Sequence, residues 1–224
     1  MEYRIDDLEL NGLKLKQDPN GFCFGIDAVY LANYAKCKEG DIVVDLCTGN
    51  GIIPILLSAK IPAGKIYGVE IQEKVAKLAE ENVIFNNLEH KIEIVNEDLN
   101  NIVEQFGKAS LDVITCNPPY RTRGCGMVNE TDTKAIARHE IKCTLEDVIR
   151  TSSMLLKSLG KFYMIHRPDR ICDILTLMRQ YKIEPKTIQF IQPSIDKNPE
   201  FVLIEGLRGG KKHVTVEATR IERI

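Results

Sequence analysis

Apolar and polar positions along this chain alternate between two periods. Short runs rich in β-branched residues, "DIVVDLC" (41–47), "KIYGVE" (65–70), "KIEIVNED" (91–98) and "SLDVITC" (110–116), read as buried strands. Helical spacing separates them, in "IIPILLSAK" (52–60) and "QEKVAKLAEENVIFNN" (72–87). In the second, Val75, Leu78, Ala79 and Asn82 share a face and Asn86-Asn87 offers a stop. Downstream, "LEDVIRTSSMLLKSLG" (145–160) reads as an amphipathic helix ending at Gly160, followed by the strand "KFYMIH" (161–166). "PDRICDILTLMRQY" (168–181) opens a helix with Pro168. "KTIQFIQ" (186–192) and "EFVLIEGLRGG" (200–210) have no crossover helix between them, so they are expected to pair antiparallel. Ahead of all these, "GFCFGIDAVYLANYAK" (21–36) is a glycine-punctuated loop entering a short helix.

This alternation predicts a doubly wound α/β domain. Its sheet is expected to be seven-stranded and mostly parallel, with one antiparallel edge strand and helices on both faces. Residues 1–224 are read as one domain, with 1–40 as an N-terminal cap of loop and helix and 41–224 as the core. A length of 224 residues, 44% hydrophobic and 28% charged, suits one sizeable core. The net charge of −2 means that any polyanionic partner must be met by a local basic patch. Seven scattered cysteines with no C-x-x-C pair read as buried or spare thiols, so no metal is expected. The acidic start "MEYRIDDLEL" and the lack of any apolar run near ~20 residues predict a cytoplasmic chain without membrane association.

In such sheets ligands bind beyond the carboxyl ends of the strands, and the unusual short sequences fall there. "VVDLCTGNGI" (43–52) ends a strand in Asp45 and turns through Gly49 and Gly51 into a helix. A dinucleotide fingerprint would need a third glycine where Pro54 stands. The remaining Asp-x-x-x-Gly-x-Gly is the pattern used by S-adenosyl-L-methionine (SAM) methyltransferases around an amino-acid moiety. Glu70, followed by Ile71, can accept from both ribose hydroxyls. Asp98 can accept from an adenine amine while Leu99 packs on the ring. Alone, each reads equally as a tight turn, a helix-start acid or an N-cap. Together, three successive strand ends suit three parts of SAM. Asp27 is grouped with these cofactor-binding residues.

The fourth strand exits through "TCNPPYRTRG" (115–124). Two prolines forbid both a continued ladder and a helix start, leaving a rigid extended exit. The Asn117 side chain and the Pro118 carbonyl are acceptors suited to an –NH₂ group, with Pro119 beside them. The lone pair of an aromatic amine or amide is delocalised. Two acceptors on its hydrogens favour a tetrahedral nitrogen whose lone pair can meet a methyl group. Tyr120 offers a ring on which a flipped base can stack, worth ~1–3 kcal/mol, or a face for a cationic sulfonium.

These motifs resemble the Asn-Pro-Pro-Tyr amino-methyltransferases with a Rossmann-like SAM-dependent fold. More narrowly, the chain is similar to the bacterial tRNA1(Val) adenine-N6 methyltransferase family. The carriers are "FCFGIDAVYLANYA" (22–35), "VDLCTGNGI" (44–52), "GVEIQE" (68–73), "TCNPPY" (115–120), "AIARHEIKCTLEDVI" (135–149), "HRPDR" (166–170) and "EGLRGGKK" (205–212). The resemblance implies SAM as cofactor, tRNA as substrate partner and methylation of the adenosine 3′ of the anticodon, position 37. No obligate protein partner is evident. Two departures stand out: Arg121 replaces an aromatic that relatives often carry, and "HVTVEATRIERI" (213–224) is an unfamiliar ending.

Arg121 and Arg123 beside the pocket, and Arg208, Lys211 and Lys212 near the C-terminus, are the expected substrate contacts. Lys134, Arg138 and His139 follow in a polar segment, His139 with no base role. Rival readings are a release-factor glutamine methyltransferase, an rRNA or DNA amino-methyltransferase, and a non-catalytic RNA-binding module. A nucleotide oxidoreductase is disfavoured by Pro54.

Overall fold

A computed structural model describes residues 3–19, 21, 23–60, 64–120 and 143–222. Seven long strands build the central sheet: β3 (Ile42–Leu46), β4 (Lys65–Glu70), β5 (Ile92–Asn96), β6 (Leu111–Cys116), β7 (Leu156–His166), β8 (Ile183–Gln192) and β9 (Phe201–Arg208). Their spatial order is β8-β9-β7-β6-β3-β4-β5. Strands β3 to β7 are parallel, and β9 runs against both β7 and β8. The expected mixed sheet is present, with a correction in detail: the reversed strand is not at the edge but lies between β7 and β8. Phe201–Ile204 of β9 is buried at every residue, whereas β8 mixes buried and half-buried residues, so the more apolar strand takes the interior place. Two short strands, β10 (Thr215–Val216) and β11 (Arg220–Ile221), add in parallel beside β8. The C-terminal segment thus extends the sheet.

Helices cover both faces. α1 (Ile26–Tyr34) and α2 (Ile52–Lys60) share a core with Val43, Val113, Tyr163, Ile165 and Leu203. On the other side, α4 (Ile102–Phe106), α5 (Leu145–Leu155) and α6 (Ile171–Gln180) pack on Val44, Ile114, Phe162, Met164 and Ile204. Neighbouring residues of one strand therefore serve opposite cores, which is why the strand sequences are continuous apolar runs. α3 (Glu73–Phe85) follows β4.

α5 starts on a capping box, Thr144 with Asp147. It ends at Leu155, five residues before the Gly160 expected from the sequence, because "LKSLG" joins β7 instead. The amphipathic spacing of that stretch is overridden by pairing: Leu156 sits opposite Leu111, and a bulge follows before Lys161 meets Val113. At the bulge Leu159 adopts φ 61° and Gly160 leaves a Cβ position only 3.0 Å from the Lys157 carbonyl oxygen. The helix expected at Pro168 begins with a 3₁₀ turn, Pro168–Arg170, before α6.

The N-terminal hairpin, β1 (Arg4–Asp7) with β2 (Lys14–Gln17), was not legible as strands in the sequence. Two asparagines of α3 hold it. Asn82 accepts from Lys16 N (2.7 Å) and donates to both the Lys16 and Asn50 carbonyls (3.0 Å each). Asn86, one turn on, repeats the pairing with Lys14 at 2.9 and 2.7 Å. The asparagine face thus imitates a strand edge for β2 and ties it to the glycine turn after β3. Among the described residues no helix is long and apolar enough to cross a membrane.

Because Asn82 is fully buried and satisfies three backbone groups, Asn82→Ala should cost about 2–4 kcal/mol of unfolding free energy. Asn86 is only half-buried, so Asn86→Ala should cost less, about 1 kcal/mol. Urea titrations of both variants would show equal losses if the buried site had no special weight.

Candidate active site

Four parallel strands end on one edge, and a cleft of about 870 Å³, open to solvent, lies there. Its floor is the turn after β3. Gly49 and Gly51 both adopt positive φ, 59° and 84°, and a Cβ on Gly51 would press on Ala79 of α3 at 3.3 Å. Cys47, a non-glycine residue, is also left-handed at φ 58°, a local strain that the tight strand exit imposes. Gly68 of β4, opposite Asp45, clears the way for the turn: a Cβ there would lie 2.9 Å from Thr48 Oγ1.

Glu70 closes the turn. Its Oε2 accepts from Gly49 N and its Oε1 from Gln72 N, each at 3.0 Å, and it lines the cleft. Burial pushes its carboxyl up, opposed by these backbone N–H bonds. Asp98 lines the cleft with Leu99, its Oδ1 accepting from Asn100 N at 2.8 Å and Asn100 Nδ2 at 3.0 Å in a local turn. It caps no helix, since α4 begins after Asn101. Ile71, Asn117 and Pro119 are also on the wall.

Asp45 lies beneath the floor, fully buried. Thr115 Oγ1 donates to its Oδ1 at 2.6 Å, while Oδ2 has no protein partner among the described residues. Burial raises its carboxyl to about 7, against the Thr115 hydrogen bond. The Asn50 side chain, buried and on the cleft wall, is likewise unpartnered among the described residues.

Asp27 is not on the described cleft wall. From the first turn of α1 its Oδ2 receives the Tyr120 hydroxyl at 2.6 Å, and Asn117 Oδ1 stands 2.5 Å from the same hydroxyl. The Tyr120 ring packs at 5.0 Å on His166 and 6.4 Å on Phe201, with the Arg167 guanidinium 5.7 Å above it. Burial and the Asp27 charge hold the Tyr120 phenol well above its ordinary range, so it keeps its proton. His166 accepts the Arg167 N–H at 2.8 Å through Nδ1, and burial lowers it to about 4. It is neutral at working pH.

The basic residues divide. Arg121 and Arg123, with Lys134, Arg138 and His139, lie outside the described residues. Arg208, Lys211 and Lys212, expected as substrate contacts, lie at and beyond the end of β9 farthest from the Asn117 exit. Because β9 is antiparallel, its carboxyl end meets the start of β7: Leu207 pairs with Lys161, and Val202 with His166. That separates Arg208 from the Asn117 end by roughly 15–20 Å at ~3.3 Å per residue. Arg208 Nε also donates to the Ser153 carbonyl at 2.8 Å, which ties it to α5. Arg167, beside Tyr120, is the nearby cation that the "HRPDR" stretch only hinted at.

Other wall residues had no signal strong enough to single them out. Phe24 and Gly25 arrive over the cleft because Phe24 N donates to the buried Gln17 side chain of the hairpin at 3.0 Å. Cys47 and Cys143 meet at 3.8 Å on another part of the wall. Their thiols are pushed up, by mutual hydrogen bonding with neighbouring cysteines and by burial, so they stay protonated. No cluster among the described residues could hold a metal ion.

The donor set selects the ligand. Glu70, Glu97 and Asp98 line the cleft, and none of its described wall residues is a lysine or arginine. A dinucleotide pyrophosphate would face three acids. A ligand with a sulfonium, an ammonium, two ribose hydroxyls and an adenine finds acceptors and an apolar wall of Ile71, Val75 and Leu99. The site therefore fits SAM, and the fold and site define a SAM-dependent methyltransferase.

Comparison with known proteins narrows the class. The family model "Methyltransferase small domain" matches residues 27–180, and the chain belongs to that family. Among curated relatives it is similar to the tRNA1(Val) (adenine(37)-N6)-methyltransferase of Porphyromonas gingivalis, 27% identical over 81% of this chain and 72% of that protein. The Parabacteroides distasonis protein of the same name is 24% identical over 88% and 83%. In solved structures the fold recurs in a predicted O-methyltransferase from Agrobacterium tumefaciens, with TM-score 0.70, 20% identity and coverage of 87% and 86%. It recurs again in the geranyl diphosphate C-methyltransferase of Streptomyces coelicolor, with TM-score 0.59, 14% identity and coverage of 81% and 74%.

Two outcomes test this site. Glu70→Ala should weaken SAM binding by about 10- to 100-fold in calorimetric titration, the value of a charge-assisted hydrogen bond. Unchanged affinity would remove Glu70 from the site. The second concerns Asp45, whose carboxyl burial lifts to about 7 in the folded protein, well above the ordinary carboxylate value of 3.8. The folded state takes up the proton first, so this group gains stability as pH falls from 7 toward 4 and loses it as pH rises. Asp45→Asn abolishes that term, so its melting temperature relative to wild type should be most favourable at pH 8 and decline steadily to pH 4. A flat difference would mean that Asp45 titrates normally.

Proposed function

We infer that the chain methylates the exocyclic N6 amine of an adenosine in tRNA, with position 37 of tRNA1(Val) as the target. The observation that carries this reading is the placement of Asn117 and Pro119 on the same cleft wall as Glu70, Ile71, Asp98 and Leu99. An amine acceptor thus shares a wall with the groups suited to the cofactor. The names of the curated relatives support the substrate.

When bound, SAM supplies a methyl group on a sulfonium, with a neutral thioether as leaving group. The chain's part is to prepare the nucleophile. Asn117 Oδ1 and the Pro118 carbonyl accept the two amine hydrogens, drawing the nitrogen toward tetrahedral geometry and freeing its lone pair for in-line attack. The amine held there would take the methyl group as its bond to sulfur breaks, and the methylated amine, strongly acidic, would lose its extra proton to solvent. No strong base is required, consistent with a neutral His166 and a protonated Tyr120. Glu70 would hold the ribose, Asp98 and Leu99 the adenine, and the floor around Asp45, Gly49 and Gly51 the amino-acid end. Pro119 and Arg167 are assigned to the incoming RNA, and the sequence assigns Arg121 and Arg123, outside the described residues, to it as well. Arg208, Lys211 and Lys212, remote from Asn117, take no part in holding the base.

Nucleoside mass spectrometry on unmodified tRNA incubated with protein and isotope-labelled SAM tests the assignment, with a DNA duplex and a release-factor peptide as rival substrates. N6-methyladenosine in tRNA1(Val) alone is expected. Methyl transfer confined to DNA or to a glutamine amide would overturn the substrate. Asn117→Ala should lower kcat by about 10²- to 10³-fold with SAM affinity within twofold, since the lost acceptor acts mainly in the transition state.

A further inference from the structure

Tyr120 Oη lies 2.6 Å from Asp27 Oδ2 and 2.5 Å from the near end of the Asn117 amide. A phenol has a single proton, and a carboxylate can only accept. The charged acceptor makes the stronger bond, so the proton goes to Asp27. Tyr120 then offers Asn117 only lone pairs. An amide oxygen at that distance would set acceptor against acceptor. The two ends of an amide are alike in shape, and a half-turn brings Nδ2–H₂ to Tyr120 as donor. The same half-turn aims Oδ1 the other way, where Asn117 borders the cleft and that end of the amide has no protein partner among the described residues.

We propose that Asp27 is a positioning residue: through Tyr120 it sets the Asn117 amide so that its oxygen, not its nitrogen, meets the substrate amine. This rests on the reading of Asn117 as the amine's acceptor. Without Asp27 the phenolic proton turns to Asn117 Oδ1, and the amide presents –NH₂ to an –NH₂. Donor would then face donor. The relay is rigidly mounted. Asp27 Oδ1 accepts from Ala28 N at 3.0 Å in the first turn of α1, and Tyr34 at the other end of that helix bonds Thr187 of β8 at 2.6 Å. His166 and Phe201 hold the Tyr120 ring. Asp27, grouped with the cofactor ligands in the sequence, thereby acts on the substrate side, and the Tyr120 hydroxyl gains a part that a stacking role does not require.

The test uses Asp27→Ala, Asp27→Asn, Tyr120→Phe and the double variant Asp27→Ala/Tyr120→Phe. Asp27→Ala should lower kcat by about 100-fold, the scale of a misplaced reacting group, with SAM affinity within twofold. Asp27→Asn, which keeps an oxygen acceptor of the same shape, should restore most of that loss. The double variant should be no slower than Asp27→Ala, because both changes cut one relay. An arm that needs no substrate follows the Asn117 side-chain amide in protein labelled with ¹⁵N-asparagine. One of its hydrogens should be shifted downfield and slow to exchange in wild type, and lose both properties in Asp27→Ala and Tyr120→Phe. Parallel loss of SAM affinity would make Asp27 a cofactor contact and overturn the proposal. Independent, multiplying losses in the double variant, or an Asn117 amide signal indifferent to Asp27, would overturn it as well. If wild type fails on tRNA, the functional reading falls while the amide signal still decides the relay.

Discussion

The site depends on the parallel register that locks β3 between β4 and β6. In that register Asp45 stands opposite both Gly68 and Thr115, and Glu70 of the next strand stands opposite Asn96. All four strands therefore release their chains at one level. The tight turn after β3 fits because β4 contributes a glycine where a side chain would strike Thr48. Thr115 binds the carboxylate that would otherwise be wholly unpaired in the core. Parallel strands need crossover helices, so each strand end is followed by a loop entering a helix and is free to carry a polar group. The cleft is the common outlet of these loops.

Charge then determines what the outlet accepts. Three carboxylates border it without a described basic neighbour, while Asp45 sits below with one oxygen unpartnered among the described residues. Such a wall is poorly suited to phosphate and well suited to a cationic nucleoside derivative. Burial raises both Asp45 and Glu70, and a positively charged ligand beside them would favour their charged forms. Binding and folding are thus coupled at the same residues. The asparagine pair on α3 adds a mechanical link, since Asn82 holds the hairpin and the glycine turn at once, and the hairpin in turn holds Phe24.

One reversed strand separates two functions that lie close in sequence. β9 begins with Phe201 against the Tyr120 ring and ends with Arg208 tied to α5 at the far edge. Eight residues carry the chain from the substrate side to the back of the sheet. A parallel β9 would have put the Arg208, Lys211 and Lys212 cluster beside the cleft. The direction of a single strand removes it.

By itself the sequence determined what local chemistry can specify. Continuous apolar runs marked β3 to β6, the glycines and Pro54 excluded a dinucleotide turn, and strand ends carried Glu70, Asp98 and Asn117, all of which reach the cleft. Period and steric limits act over a few residues, so they can be read without a fold. The hairpin β1–β2 was not legible because its short polar strands are stabilised by asparagines some seventy residues away. Helix α5 stopped early because pairing with β6 outweighed amphipathic spacing. Only the tertiary structure placed Asp27 against Tyr120, across 93 residues of sequence, and put Asp45 beneath the cleft rather than in it. Long-range hydrogen bonds and strand direction depend on which distant segments meet, and a local pattern carries no record of that.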